Sequence, residues 1–190
     1  MTIAVEPNSA MRQEAQYHPQ VEFIEGTAEK TNLPDDSVDL VTSFSAFHWF
    51  EPLSTLQEFH RILKPHGRLA LIWNIWDETD KFTKALIDIV DMASESTPKH
   101  QNWQSKVGTP PKNPYFKSFD RLQFSEREQR NLTELIGLVE SQGFIPLSGI
   151  KHQKIVSELE NLYKQWADDR GKVSLISRTD VYIGQAEKLR

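Results

Sequence analysis

The 190-residue chain has no cysteine, which removes disulfides, thiolate metal sites and a cysteine nucleophile together. No apolar run approaches the roughly 18 residues that a membrane-spanning helix requires, and the N-terminus lacks a basic segment followed by an apolar core. Positive charge is not in excess either. Lys and Arg number 22 against 27 Asp and Glu, the formal net charge is −5, and the basic residues are dispersed. A phosphate-tracking surface, and with it a nucleic-acid partner, is therefore not expected. Internal repeats and low-complexity tracts are also missing. The expectation is a soluble cytoplasmic protein without membrane contacts.

What is present suits a globular domain. Hydrophobic residues make up 38% and charged residues 26% of the chain, enough for an ordinary core in one domain over 1–190. The one composition shift runs from Ser96 to Ser118 and carries Pro98, Pro110, Pro111 and Pro114. It reads as a lid or long connection.

Strand and helix signals alternate. Ile3 to Val5 is a short apolar strand, Asn8 or Ser9 caps a helix holding Met11 and Ala15, and Val21 to Ile24 and Val38 to Thr42 are further strands. Pro52 to Lys64 places Leu53, Leu56, Phe59 and Leu63 on one helical stripe, stopped by Pro65 and Gly67. Arg68 to Trp73 is nearly all apolar, as a strand buried on both faces would be. Helices follow at Asp80 to Ala93, at Asn131 to Gln142 with its capping-box glutamate, and around Ile155 to Trp166, with a strand at Phe119 to Phe124. Alternation from Val173 to Ile183 predicts a closing antiparallel strand on the edge side of the sheet. The order implies an α/β fold with a mostly parallel sheet.

An apolar strand ending in a carboxylate is how nucleotide-binding α/β folds present an acid to ribose hydroxyls. Glu6 is that acid. Such folds carry a glycine-rich turn about 20 residues earlier, for which this sequence has no room.

Several strings, in order and spacing, resemble the class I methyltransferases that use S-adenosyl-L-methionine, in particular the small-molecule group called type 11. They are V-E-P-N at 5–8, G-T-A-E at 26–29, L-P-D-D-S-V-D-L-V at 33–41, A-F-H-W-F at 46–50, R-I-L-K-P-H-G-R-L-A-L-I-W-N at 61–74 and R-T-D-V-Y at 178–182. The resemblance implies a Rossmann-like three-layer sandwich. It matches Glu6 to the ribose acid, Asn8 and Met11 to positions beside adenine, and Ala28 and Glu29 to the loop framing the adenine edge. Thr27 stands where the family often has an aspartate. Ser43, Phe44 and Ser45 match the turn under the methyl donor, and His48 and Trp49 the mouth of the acceptor pocket. The family's first central strand and its G-x-G-x-G loop are missing before Met1. Their absence is expected to expose two ladder edges, one on Ile3 to Val5 and one on Val38 to Thr42. Three closures are open: direct pairing of those strands, a strand from a partner or a second copy, or a chain that is the incomplete product of a longer gene.

Methyl transfer from a sulfonium is an in-line displacement that depends on positioning and exclusion of water, and aromatic faces suit the positive sulfur. Phe44, Phe47, Trp49, Trp73 and Trp76 are candidates, each also explained as core; Trp49 is the one assigned to the site. His48 is the candidate general base for a hydroxyl or amine acceptor, since neutral imidazole takes a proton near neutral pH; its alternative is packing. His60 and His66 flank a helix end and are read as structural. Asp35 and Asp36 read as a solvated turn, and no metal is expected. Lys81, Lys84 and Arg170 could hold an anionic acceptor or simply be solvated. Two functions stay open: a methyltransferase with a small-molecule acceptor, or a non-catalytic remnant of that fold serving as a binding or assembly module.

Overall fold

Asn8 has extended backbone, and its Oδ1 accepts from the N–H groups of Ala10 at 2.9 Å and Met11 at 3.3 Å. That cap starts α1 (Ser9–Glu14) between two parallel strands, β1 (Thr2–Val5) and β2 (Val21–Ile24), paired from Thr2 opposite Val21 to Val5 opposite Ile24. The structure is a computed structural model describing residues 1–15, 17–94, 109–186 and 188. It divides into two compact units. One comprises Met1–Ile72, Thr109–Leu122 and Val181–Arg190, the other Trp73–Gly108 and Gln123–Asp180.

In the first unit, β3 (Val38–Phe44) leads through a 3₁₀ turn at Phe47–Trp49 into α2 (Pro52–Ile62). The Glu51 carboxylate caps α2 by accepting from Ser54 N–H at 2.7 Å, and Pro52 occupies the first turn, where its missing N–H costs nothing. The buried stripe of α2 is Thr55, Leu56, Glu58, Phe59 and Ile62. It is rotated from the expected one: Leu53 is exposed, and Leu63 already belongs to β4 (Leu63–Trp76). The residues expected to separate helix from strand, Pro65 and Gly67, lie inside β4 instead. They are absorbed where the register against β3 shifts between Val38 and Leu40, with His66 in the left-handed region at φ 66°. Beyond that bulge β3 and β4 run parallel, Leu40 opposite Arg68 and Phe44 opposite Ile72.

The remaining elements are α3 (Lys81–Ser94), β5 (Phe119–Arg130), α4 (Leu132–Glu140), α5 (Gly149–Trp166) and β6 (Val173–Gln185). The four-stranded sheet has the order β3-β4-β6-β5. Ala186 N–H donates to Gly67 O in the first unit and Asp77 N–H to Ile176 O in the second, so residue numbers fall along β6 as they rise along β4. β6 is therefore antiparallel, as expected, but it is not on the edge. It lies between β4 and β5, and the consecutive residues Leu175, Ile176 and Ser177 are all buried. Among the polar residues of the alternation, Asp180 is buried with partners. Asp180 accepts from Gln123 Nε2 at 2.8 Å and pairs with Arg178 at 3.4 Å.

The second unit has its own core. Phe82, Leu86 and Val90 of α3 meet Leu135 and Val139 of α4, Ile155, Leu159 and Leu162 of α5, and Val173 and Leu175 of β6. Each such side chain contributes about 1.5–3 kcal/mol by leaving water. Asn131 and Glu134 close a capping box at the start of α4, with bonds of 2.9 and 2.7 Å. Of the lid expected at 96–118, residues 96–108 lie outside the described residues. From 109 to 118 the chain is irregular in the first unit, where Asn113 Oδ1 accepts from Tyr115 and Phe116 N–H and Phe116 is buried beside His60 and Phe119.

β1 and β3 do not pair: β1 and β2 form a separate two-stranded sheet, and β3 ends the other. Direct pairing, the first of the three closures, is not what the chain does. On the face of β3 shared by alternate residues, Leu40 is 55% and Phe44 66% exposed, with Thr42 also exposed between them.

Candidate active site

Every side chain assigned to the site from sequence lies in the first unit, at or after the C-terminal ends of β1, β2 and β3. In open parallel sheets that is where ligands bind. Glu6 follows β1 directly. Its Oε1 accepts from Asn8 N–H at 2.8 Å, and its carbonyl accepts from Arg12 Nη1 at 2.6 Å. Arg12 also reaches Glu25, just past β2, at 3.3 Å. The Asn8 bond ties Oε1 to the start of α1; Oε2 has no hydrogen-bond partner among the described residues. Asn8 spends its Oδ1 on the helix cap, and Met11 is exposed.

The second group is a tight turn. Thr27 and Lys30 exchange two backbone bonds of 3.0 and 3.2 Å, with Ala28 and Glu29 at its tip. Gly26 before it is packed so closely that a Cβ there would stand 2.8 Å from Val5 Cγ1 and 2.9 Å from Thr31 O. This fixes the turn beside the strand end that carries Glu6. The Glu29 carboxylate is engaged already, accepting from Glu51 N–H at 3.1 Å and Thr55 Oγ1 at 3.4 Å. Burial acts to raise its pKa, but the bonds from Glu51, from backbone at 29 and from Thr27 and Thr55 outweigh it and hold the carboxyl below its usual range. What the tip offers a ligand is thus the backbone edge and the Ala28 side chain.

The Glu29–Glu51 bond joins this turn to the connection after β3, where His48 and Trp49 sit three and two residues before Glu51. Ser43 is 7% exposed and its Oγ has no hydrogen-bond partner among the described residues. Phe44 points to solvent, and Ser45 takes φ 44° while its N–H donates to Ile72 O at 2.8 Å, so the chain bends sharply there. His48 is half-buried and its ring lies beside that of Trp49, tilted by 46° with centroids 4.9 Å apart. Burial lowers its pKa, which keeps the ring neutral at neutral pH. Trp49 is 66% exposed.

Sequence reasoning missed Glu58. Its carboxylate is 8% exposed and accepts from Thr31 N–H at 2.8 Å, Thr31 Oγ1 at 2.6 Å and Arg61 at 2.7 and 2.8 Å. Hydrogen bonds from Arg61, opposed by burial and joined by those from Thr31, lower its pKa to about 2. The available signal was its place at i+3 from Thr55 and i−4 from Ile62, a charge inside an apolar stripe.

Residues 1–71, which contain all of these side chains, match the methyltransferase domain family of type 11. An uncharacterized methyltransferase-like protein of Schizosaccharomyces pombe is 35% identical over 86 residues, 45% of this chain and 34% of that protein. An uncharacterized methyltransferase of Mycobacterium bovis is 42% identical over 72 residues, 38% and 30% of the two chains. The match thus spans about a third of the length of these curated relatives. A solved structure, a type II methyltransferase candidate from Anaeromyxobacter dehalogenans, superposes with a TM-score of 0.64 at 18% identity, covering 97% of this chain and 79% of that one. The likeness shows the Rossmann-like methyltransferase fold, a mostly parallel sheet with one antiparallel strand. Among the described residues no helix is long and apolar enough to cross a membrane, and no cluster of His, Cys, Asp and Glu could hold a metal ion.

Proposed function

We propose that the methyltransferase domain binds S-adenosyl-L-methionine and serves methyl transfer to a small-molecule acceptor. The observation that carries this reading is the continuity of Val5–Glu6, Gly26–Glu29 and Glu51, which links the ends of β1, β2 and β3, with His48 and Trp49 close to Glu51 in the chain. The donor set suits the cofactor. Glu6 Oε2 is a ready acceptor for ribose hydroxyls, the Ala28–Glu29 tip would take the adenine edge, and Ser43 Oγ is a buried polar atom lacking a partner among the described residues. The cofactor supplies an electrophilic methyl group on a sulfonium, displaced in line. Neutral His48 would receive the proton of a hydroxyl or amine acceptor, while for a carboxylate acceptor it would only orient. Asn8, Met11 and Phe44 border the same site, and the Trp49 face would line its mouth.

The test is calorimetric titration with S-adenosylhomocysteine. Micromolar binding that Glu6→Ala abolishes supports the reading; absence of binding by folded protein refutes it.

A second reading has its own observation. The unpaired edges of β1 and β3, with Leu40 and Phe44 exposed, suit a strand from a partner or a second copy. On that reading the fold is a non-catalytic assembly module of the cytoplasm. A concentration-dependent dimer with no affinity for S-adenosylhomocysteine would favour it.

A further inference from the structure

The stretch from Gly26 to Ser37 has little regular structure of its own, yet it is pinned at many points to one helix. Glu58 and Arg61, in the last two turns of α2, make most of those bonds. Glu58 holds Thr31 through both backbone and hydroxyl, and the same hydroxyl accepts from Leu33 N–H at 3.3 Å. Arg61 donates to Leu33 O at 2.8 Å and pairs with Asp35. Asp36 and Ser37 N–H then donate to the carbonyls of Arg61 and Ile62 at 3.1 and 2.8 Å. Asn32 and Asp36 take left-handed backbone, φ 63° and 51°, which these two residue types tolerate in turns.

A helix that merely needed a packed face would be served by leucine at this position. A buried carboxylate must be desolvated, and its return is directional geometry. Here the direction leads to the site. Thr31 O is one of the three atoms that crowd the position a Gly26 Cβ would take, with Lys30 O and with Val5 Cγ1, next to Glu6. The Thr27–Lys30 turn is closed by its own two bonds, so Ala28 and Glu29 move with Gly26 as a unit. The first turn of α2 holds the other side of this unit, through Glu51 N–H and Thr55 to Glu29.

We propose that Glu58, acting with Arg61 through Thr31, is a positioning residue for adenine recognition: it sets the height of the Ala28–Glu29 tip relative to Glu6. This rests on the cofactor reading given under Proposed function. The consequence is selective, because an ill-placed tip loses the base edge while Glu6 keeps the ribose.

The experiment compares S-adenosylhomocysteine with S-inosylhomocysteine, in which the exocyclic amine becomes a carbonyl and N1 turns from acceptor to N–H donor. Titrations use the whole chain, with Glu58→Gln, Thr31→Val and the hydroxyl-retaining Thr31→Ser, at a temperature where circular dichroism shows each fully folded. Hydrogen exchange over residues 25–33 is read in parallel. Wild type should prefer the adenine ligand. In Glu58→Gln and Thr31→Val the preference should shrink about tenfold, the worth of one good hydrogen bond, with faster exchange over 25–33, and Thr31→Ser should restore both. Faster exchange with unchanged preference would make Glu58 a scaffold residue only and overturn the proposal. Equal weakening of both ligands would overturn it as well. If wild type binds neither ligand, the cofactor reading fails first and takes this one with it.

Discussion

Glu58→Gln should cost the fold stability in a pH-dependent way. The Glu58 carboxyl, with an ordinary value of 4.5, is held at about 2 in the folded protein. A group depressed on folding contributes stability that is fully present above its unfolded pKa and is lost as pH falls through its folded pKa. A gap of roughly 2.5 units at about 1.4 kcal/mol per unit is about 3 kcal/mol at pH 7. By the same relation roughly three quarters of it survives at pH 4 and less than half at pH 3. The glutamine keeps the shape but loses the charge, so it should unfold about 2–3 kcal/mol earlier at pH 7, which for a chain of this size lowers Tm by roughly 5–10 °C. The assay is urea unfolding of both proteins followed by tryptophan fluorescence at pH 7, 5 and 4, with the slopes checked for two-state behaviour. The difference should be constant from pH 7 to 6 and then shrink. Equal midpoints at pH 7 would refute the reasoning, as would a gap that widens on acidification.

Further outcomes follow from other parts of the molecule. Asn131→Ala removes one half of the capping box and should destabilise the second unit by about 1 kcal/mol in chemical denaturation. Tyr163→Phe deletes the hydroxyl that donates to Gly171 O at 2.6 Å; a loss of about 1 kcal/mol is expected by the same measurement. Gly171→Ala should lower stability by a similar amount, because φ 64° disfavours an L side chain and a Cβ would sit 3.2 Å from the Tyr163 hydroxyl. If β3 takes up a partner strand, Leu40→Lys with Phe44→Glu should shift the protein toward monomer in analytical ultracentrifugation, while an unchanged sedimentation profile would speak against that partner.

Much of the fold was legible because its signals are local. The Asn8 cap and the Asn131–Glu134 box start helices where they were expected, and the apolar run ending at Trp73 lies in a strand. What was not legible depended on distant partners. The bulge at Pro65–Gly67 looks like a helix stop in sequence, since breaker residues announce a bend without saying whether a ladder continues past it. Alternation in β6 suggested a strand on the edge side; it is instead interior, and Asp180 is buried there with Gln123, 57 residues away, as its donor. The site divides the same way. Strand-end carboxylates such as Glu6 follow from pattern, whereas the bonds engaging Glu29 and the role of Glu58 require knowing that α2 folds back over 25–37.

The place of β6 between β4 and β5 has a consequence for synthesis. Each of those strands waits for a neighbour made later, and β5 is complete at Arg130 while β6 ends at Gln185. At typical elongation rates of 5–20 residues per second, those 55 residues take roughly 3–11 s. During that interval a nascent chain carries two finished strands with their shared partner still unmade, so this is the period in which a chaperone would find it.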